Sequence, residues 1–177
     1  MLVPLVLLAA VGWGGEAPGP GPEGEPPPAA AGTVHEHDHV RDEAERILAF
    51  LRGEGALDGS LIADSVTLYI APEGGGQQRV APRPELAQRA AWRVGPYSLV
   101  PPAGLQHLTV APGLHFDCLP GPLEVRYPAL ARRPHVGVRL ARSDDAGCLQ
   151  TWNLTFVFTD DPRRPLLSAV VYDQWEW

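Results

Sequence analysis

The chain of 177 residues contains no lysine; each of its 14 basic side chains is arginine. Schiff-base chemistry and a desolvated lysine base are therefore excluded. Basic charge is also scarce in total. A formal net charge of -7 and a pI near 5.3 leave no basic patch dense enough to displace phosphate counterions, so nucleic acid is not an expected partner. No Gly-x-Ser-x-Gly elbow is present, and none of Ser60, Ser65, Ser98, Ser143 and Ser168 stands at a strand-to-helix turn of that kind, which argues against a serine hydrolase. The three glycines of "APEGGGQQRVAP" lack the downstream Lys-Ser/Thr of a phosphate-binding loop. Thiols are nearly absent too: Cys118 and Cys148 are the whole inventory, and no cysteine follows the N-terminal apolar run to carry a lipid anchor.

What is present describes a globular chain, 45% hydrophobic and 20% charged, long enough for one domain plus an N-terminal address. The apolar stretch Leu2–Val11 has the length of a signal-peptide h-region and is too short for a membrane span, which needs about twenty residues. Residues 1–17 are read as a signal peptide cleaved near Gly14 to Ala17, giving a secreted or periplasmic protein with no membrane association after cleavage. Residues 18–32, "PGPGPEGEPPPAAAG", are too rich in proline to join a helix or a ladder and read as a linker. In an oxidising compartment the even pair Cys118 and Cys148 reads as one disulfide; free thiols in a reducing compartment are the alternative.

The run "TVHEHDHV" (33–40) places three histidines at alternate positions among acids, the composition of a metal site. Thr33 and Glu36 also have capping-box spacing, and Val40, Ala44, Ile47, Leu48 and Leu51 follow at helical intervals before Gly53 and Gly55. The spacing therefore predicts a helix from near Val34, on which His35 and His39 form an i,i+4 pair while His37 shares the buried stripe with Val40. Two surface histidines can hold Zn or Cu weakly, but a catalytic zinc needs a third protein ligand, and none is tied to them by spacing. No cofactor is implied.

Beyond residue 60 the pattern is mostly β. Val66, Leu68 and Ile70 alternate against Thr67 and Tyr69, and "RPELAQRAAWRV" gives a short helix with an apolar face of Leu86, Ala90 and Val94. Five further strand candidates follow: "LQHLTVAP", "LHFDCL", "HVGVRLAR", "LQTWNLTFVFTD" and "LLSAVVYDQWEW". In the fourth, Trp152, Leu154, Phe156 and Phe158 share one face, with Thr151, Asn153 and Thr155 on the other. The fold class implied is α+β, an N-terminal amphipathic helix and a short second helix packed on a curved antiparallel sheet over residues 33–177.

That order of elements, closing in "TWNLTFVFTDDPRRPLLSAVVYDQWEW", resembles the nuclear transport factor 2-like superfamily of cone-shaped domains. The superfamily includes ketosteroid isomerase-like and polyketide cyclase-like enzymes and many non-catalytic modules, and the resemblance implies a pocket between sheet and helix and sheet-mediated homodimerisation. It carries no catalytic set across, because no carboxylate base with oxyanion donors aligns residue by residue. The residues themselves offer His115 and Asp117 on one strand face, or Asp173, as an acid–base group. Residues two apart in a strand lie too far from one another for routine hydrogen bonding, so a plain polar face is the competing reading. Tyr69, Trp152, Tyr172 and Trp175 are candidate pocket aromatics. The expected function is a non-catalytic binding or assembly module for a small apolar ligand or a partner protein, with a small acid–base enzyme as the alternative.

Overall fold

Ala44, Ile47, Leu48 and Leu51 recur on one side of the segment Arg41–Arg52 and wind it into helix α1, burying that side against a sheet. The computed structural model describes residues 37–70, 76–117, 120–144 and 146–173. The chain divides into two compact units, Met1–Ala30 and Ala31–Trp177, and all described residues belong to the second. The expected signal peptide and linker, Thr33, His35, Glu36, Cys118 and Trp175 lie outside the described residues.

Helix α1 ends as its sequence indicates, at Gly53 in the left-handed conformation (φ 87°), whose N–H reaches back to the carbonyls of Ala49 and Phe50. Its start differs from expectation. Residues 37–38 are helical, but His39 and Val40 form a turn, and α1 opens at Arg41 with no side-chain cap on Val40. The interruption has a local cause: the His37 ring is drawn into the body of the domain, where its Nδ1 accepts the backbone N–H of His135 at 3.1 Å.

Six strands form one sheet: β1 (Ile62–Ile70), β2 (Gln77–Pro82), β5 (His107–Pro112), β8 (His135–Ala141), β9 (Thr151–Phe158) and β10 (Leu167–Asp173). Their order is β2-β1-β10-β9-β8-β5. The sheet is mixed rather than antiparallel throughout, because β1 runs parallel to β10 while every other pairing is antiparallel. A parallel pair joins distant segments, so no turn signal announces it. Strand β2 occupies part of what reads as a glycine-rich loop; its "QQRVAP" has one deeply buried side chain, Ala81, and so no apolar alternation to reveal it.

The second helix is shorter than its pattern suggests. Helix α2 covers only Arg83–Leu86, followed by a 3-10 turn at Arg89–Ala91 and a tight hairpin, β3 (Arg93–Val94) with β4 (Tyr97–Ser98). Leu86 and Val94 are buried as expected, but Ala90 is exposed and Trp92 takes its place, its indole N–H donating to the Leu86 carbonyl at 2.8 Å. Satisfying that buried donor turns the chain out of the helix.

The sheet buries both faces. On one, α1 packs on Val66, Leu68, Ile70, Val136, Val138, Leu140, Trp152, Leu154, Phe156 and Phe158. On the other, a smaller cluster of Leu123, Leu130, Val157, Ala169 and Val171 lies beneath the segment that follows β5. That segment contains β6 (His115–Phe116), which pairs with β7 (Pro120–Gly121) outside the main sheet, and a 3-10 turn at Leu123–Val125. Among the described residues no helix is long and apolar enough to cross a membrane.

Candidate functional site

Strict alternation along β9 and β10 sends Trp152, Leu154, Phe156, Val170 and Tyr172 to the helix-covered face, and Asn153, Thr155, Val171 and Asp173 to the other. Asn153 stands opposite Asp173 and Thr155 opposite Val171 in the ladder, so the polar groups gather at one end of the capped face. Residues 113–133 then lie across them as a cap. The approach of that cap depends on Gly137: a Cβ there would stand 2.5 Å from the Leu114 carbonyl oxygen and 3.0 Å from the Phe116 ring. Only glycine lets the backbone of β6 press flat on β8.

His115 is thereby held over the polar end of the sheet. Its Nε2 lies 2.6 Å from Asp173 Oδ2, its Nδ1 lies 2.7 Å from Thr155 Oγ1, and its ring meets Tyr127 edge-on at 5.8 Å. Arg126, at the rim, pairs with the Asp117 carboxylate and reaches to 3.8 Å from Asp173 Oδ1. The Asn153 amide donates to the Asp117 carbonyl at 2.9 Å, tying cap to sheet once more. His115 and Asp173 are each 3% exposed and Thr155 is wholly buried.

The contact between His115 and Asp173 is close without being a well-aligned hydrogen bond. Nε2 of His115, both Asp173 carboxylate oxygens and Asn153 Oδ1 are buried with no aligned hydrogen-bond partner among the described residues. Burial, reinforced by the nearby charge of Asp173, raises the Tyr127 hydroxyl well above its ordinary value of 10.0, so it stands as a neutral phenol beside the pair.

The structure thus brings together all three acid–base candidates, though not through the His115–Asp117 neighbour relation that the sequence suggests. His115 turns to Asp173, and Asp117 turns to Arg126. Arg126, Tyr127 and Thr155 complete the cluster without a signal in the sequence; the first two fall in "PGPLEVRYPALARRP", whose prolines read as turn. Asn153, 1% exposed in mid-strand, leaves no room for a glycan at its sequon.

The candidate pocket aromatics divide between the faces. Trp152 and Tyr172 meet at 6.3 Å on the helix-covered face, whereas Tyr69 meets Tyr127 at 6.1 Å on the capped face. His39 is exposed, and His37 is buried against His135, ring centroids 4.6 Å apart. No group of three or more His, Cys, Asp or Glu side chains among the described residues is arranged to hold a metal ion. A separate cleft of about 250 Å³ lies at the end of α1, lined by Arg52, Glu54, Arg89, Pro101, Pro102 and neighbours. Its arginines are already engaged, Arg52 with Glu54 at 3.0 Å and Arg89 with the Leu51 carbonyl at 3.0 Å, closing off the helix C-terminus. Compared with protein-family models, curated proteins and solved structures, the chain matches none.

Proposed function

We propose that this chain is an exported, non-catalytic binding or assembly module of the cone-shaped, nuclear transport factor 2-like kind, taking a small apolar ligand or a partner protein. The observation that carries this reading is the closure of the His115–Asp173 pair: both side chains are 3% exposed and face one another beneath a cap, while a general base must reach its substrate's proton. In such a module the pair fastens residues 113–133 to the sheet. The order of amphipathic helix, strand pair, short helix and closing strands supports the family reading.

Export and the disulfide belong to the same proposal. Asn153 donates to the Asp117 carbonyl at 2.9 Å and to Thr151 Oγ1 at 3.3 Å, and Thr151 Oγ1 donates to the Cys148 carbonyl at 2.8 Å. This chain of bonds brings the neighbour of Cys118 close to Cys148, and no described cysteine is free. We assign a Cys118–Cys148 bridge on that basis. Homodimerisation through the sheet is the family-level form of assembly.

The test is to purify the full chain from an oxidising compartment and follow thermal unfolding against panels of apolar and polar small molecules, with sedimentation in parallel. A saturable rise in Tm, or self-association at micromolar concentration, is expected; a monomer whose Tm no compound moves would count against the reading. The second reading, a small acid–base enzyme, draws on the 2.6 Å approach of His115 to Asp173. It requires turnover that H115A and D173N each abolish while both variants remain folded.

A further inference from the structure

The polar end of the capped face is a site built around a cation. Its floor is Asp173 and Asn153, paired across β9 and β10, and its unsatisfied atoms are mainly acceptors: both Asp173 oxygens and Asn153 Oδ1. Buried acceptors without donors are costly and call for an occupant that donates. The charges agree. Two carboxylates, Asp117 and Asp173, face one guanidinium, Arg126, so with a neutral imidazole the cluster carries one net negative charge.

Two aromatic rings stand beside this floor, Tyr69 and Tyr127, 6.1 Å apart. A carboxylate, an amide acceptor and aromatic faces together suit an organic ammonium, which can donate to oxygen and lie against π-systems at once. They suit a divalent metal ion poorly. Arg126 already places a positive charge 3.8 Å from Asp173 Oδ1, and no three-ligand His/Cys/Asp/Glu group is present among the described residues. The neutral state of Tyr127, whose hydroxyl burial raises, keeps that wall uncharged.

His115 now has a second meaning. It is the one member of the cluster whose nitrogen lies against Asp173 and whose ring lies against Tyr127, the contacts an ammonium would make. It is also carried by β6, which is not part of the main sheet. We propose that Asp173, Asn153, Tyr69 and Tyr127 form a binding site for a small primary ammonium compound, and that His115 occupies it as an internal stand-in while residues 113–133 are closed. This goes beyond the module reading above by naming a ligand class and a site on the face away from α1. Its failure would leave a partner or apolar ligand elsewhere untouched.

Internal competition reduces the apparent affinity of a ligand by the fraction of protein in which the site is open. Methylammonium is the probe, with tetramethylammonium, which has no N–H to donate, and Mg²⁺ as controls at matched ionic strength. Binding to the full chain is followed by the side-chain amide resonance of Asn153. Methylammonium is expected to bind saturably, about tenfold or more tightly in H115A than in the wild type, and not at all in D173N, with tetramethylammonium inert. The proposal is overturned if a folded H115A binds methylammonium no better than wild type, if D173N binds it equally, or if Mg²⁺ binds in its place. Should H115A fail to fold, the wild type decides: a saturable methylammonium shift that D173N lacks supports the site, and its absence overturns it.

Discussion

Because His115 and Asp173 are each 3% exposed and approach to 2.6 Å, removing either one strands the other in a weakly solvated setting. Breaking a buried pair in this way costs roughly 3–5 kcal/mol, whereas replacing both members by apolar residues of similar volume is often nearly neutral. D173A and H115A are therefore each expected to lower the urea midpoint strongly, and H115L/D173L to recover most of the loss. An additive double variant would show that the two do not act as a pair. Tyr172 offers a second residue-level check. Burial pushes its hydroxyl from 10.0 up to about 12, and Tyr127 is raised as well. A hydroxyl that ionises later in the folded state contributes stability that is complete below the unfolded value of about 10 and is lost as pH rises towards and through the folded value. Phenolate absorbance should show two of the four tyrosines resisting ionisation until well above pH 10, with stability falling over the same interval. Four tyrosines titrating together near 10 would contradict the burial. At this scale the sequence offers His115, Asp117 and Asp173 as the titratable groups in strand-like runs, but nothing in their spacing joins residue 115 to residue 173. Their meeting depends on the register of β10 and on a cap whose prolines and arginines carry no periodicity.

Gly137 is the element-scale counterpart of that pairing, since the cap rests where a side chain would otherwise stand. A Cβ at 2.5 Å from the Leu114 carbonyl cannot be absorbed by a flexible side chain, so the strand β6 must lift. G137A is expected to cost roughly 1–3 kcal/mol, in the range of overpacked cores. Amide exchange should rise across residues 114–117 while β1 and β10 remain protected; uniform loosening of the sheet would show that the cap has no separate attachment. The same elements divide what periodicity reveals from what it hides. β9 is legible because Trp152, Leu154, Phe156 and Phe158 alternate cleanly, and α1 because its apolar residues keep helical spacing up to Gly53. β2 is hidden because an edge strand with a single deeply buried residue has no pattern to show. Helix α2 is over-read because Ala90 fits a helical face that the chain abandons in order to bury Trp92.

For the whole molecule, two different attachments hold the two faces of the sheet. The helix side is a broad apolar core, and the cap side joins a small apolar cluster to a buried polar one. A covalent tie would matter most on the second side, where the cap depends on few apolar contacts. The proposed Cys118–Cys148 bridge would lie there, joining the cap to the connection that leads into β9. Closing a loop of about thirty residues limits the unfolded chain by roughly 3.5 kcal/mol in the entropy model, less any strain in the folded state. C148S, or reduction of the wild type, is therefore expected to lower the unfolding midpoint by an amount of that order. The loss should be expressed first in exchange of residues 113–117 and 120–133. Mass measured after alkylation without reductant decides whether the bridge forms at all, by showing no added label on the protein from an oxidising compartment and two on the reduced chain. If label is taken up before reduction, the cap is held by its ion pairs and apolar contacts alone, and the inference of an oxidising compartment from the two cysteines falls with it.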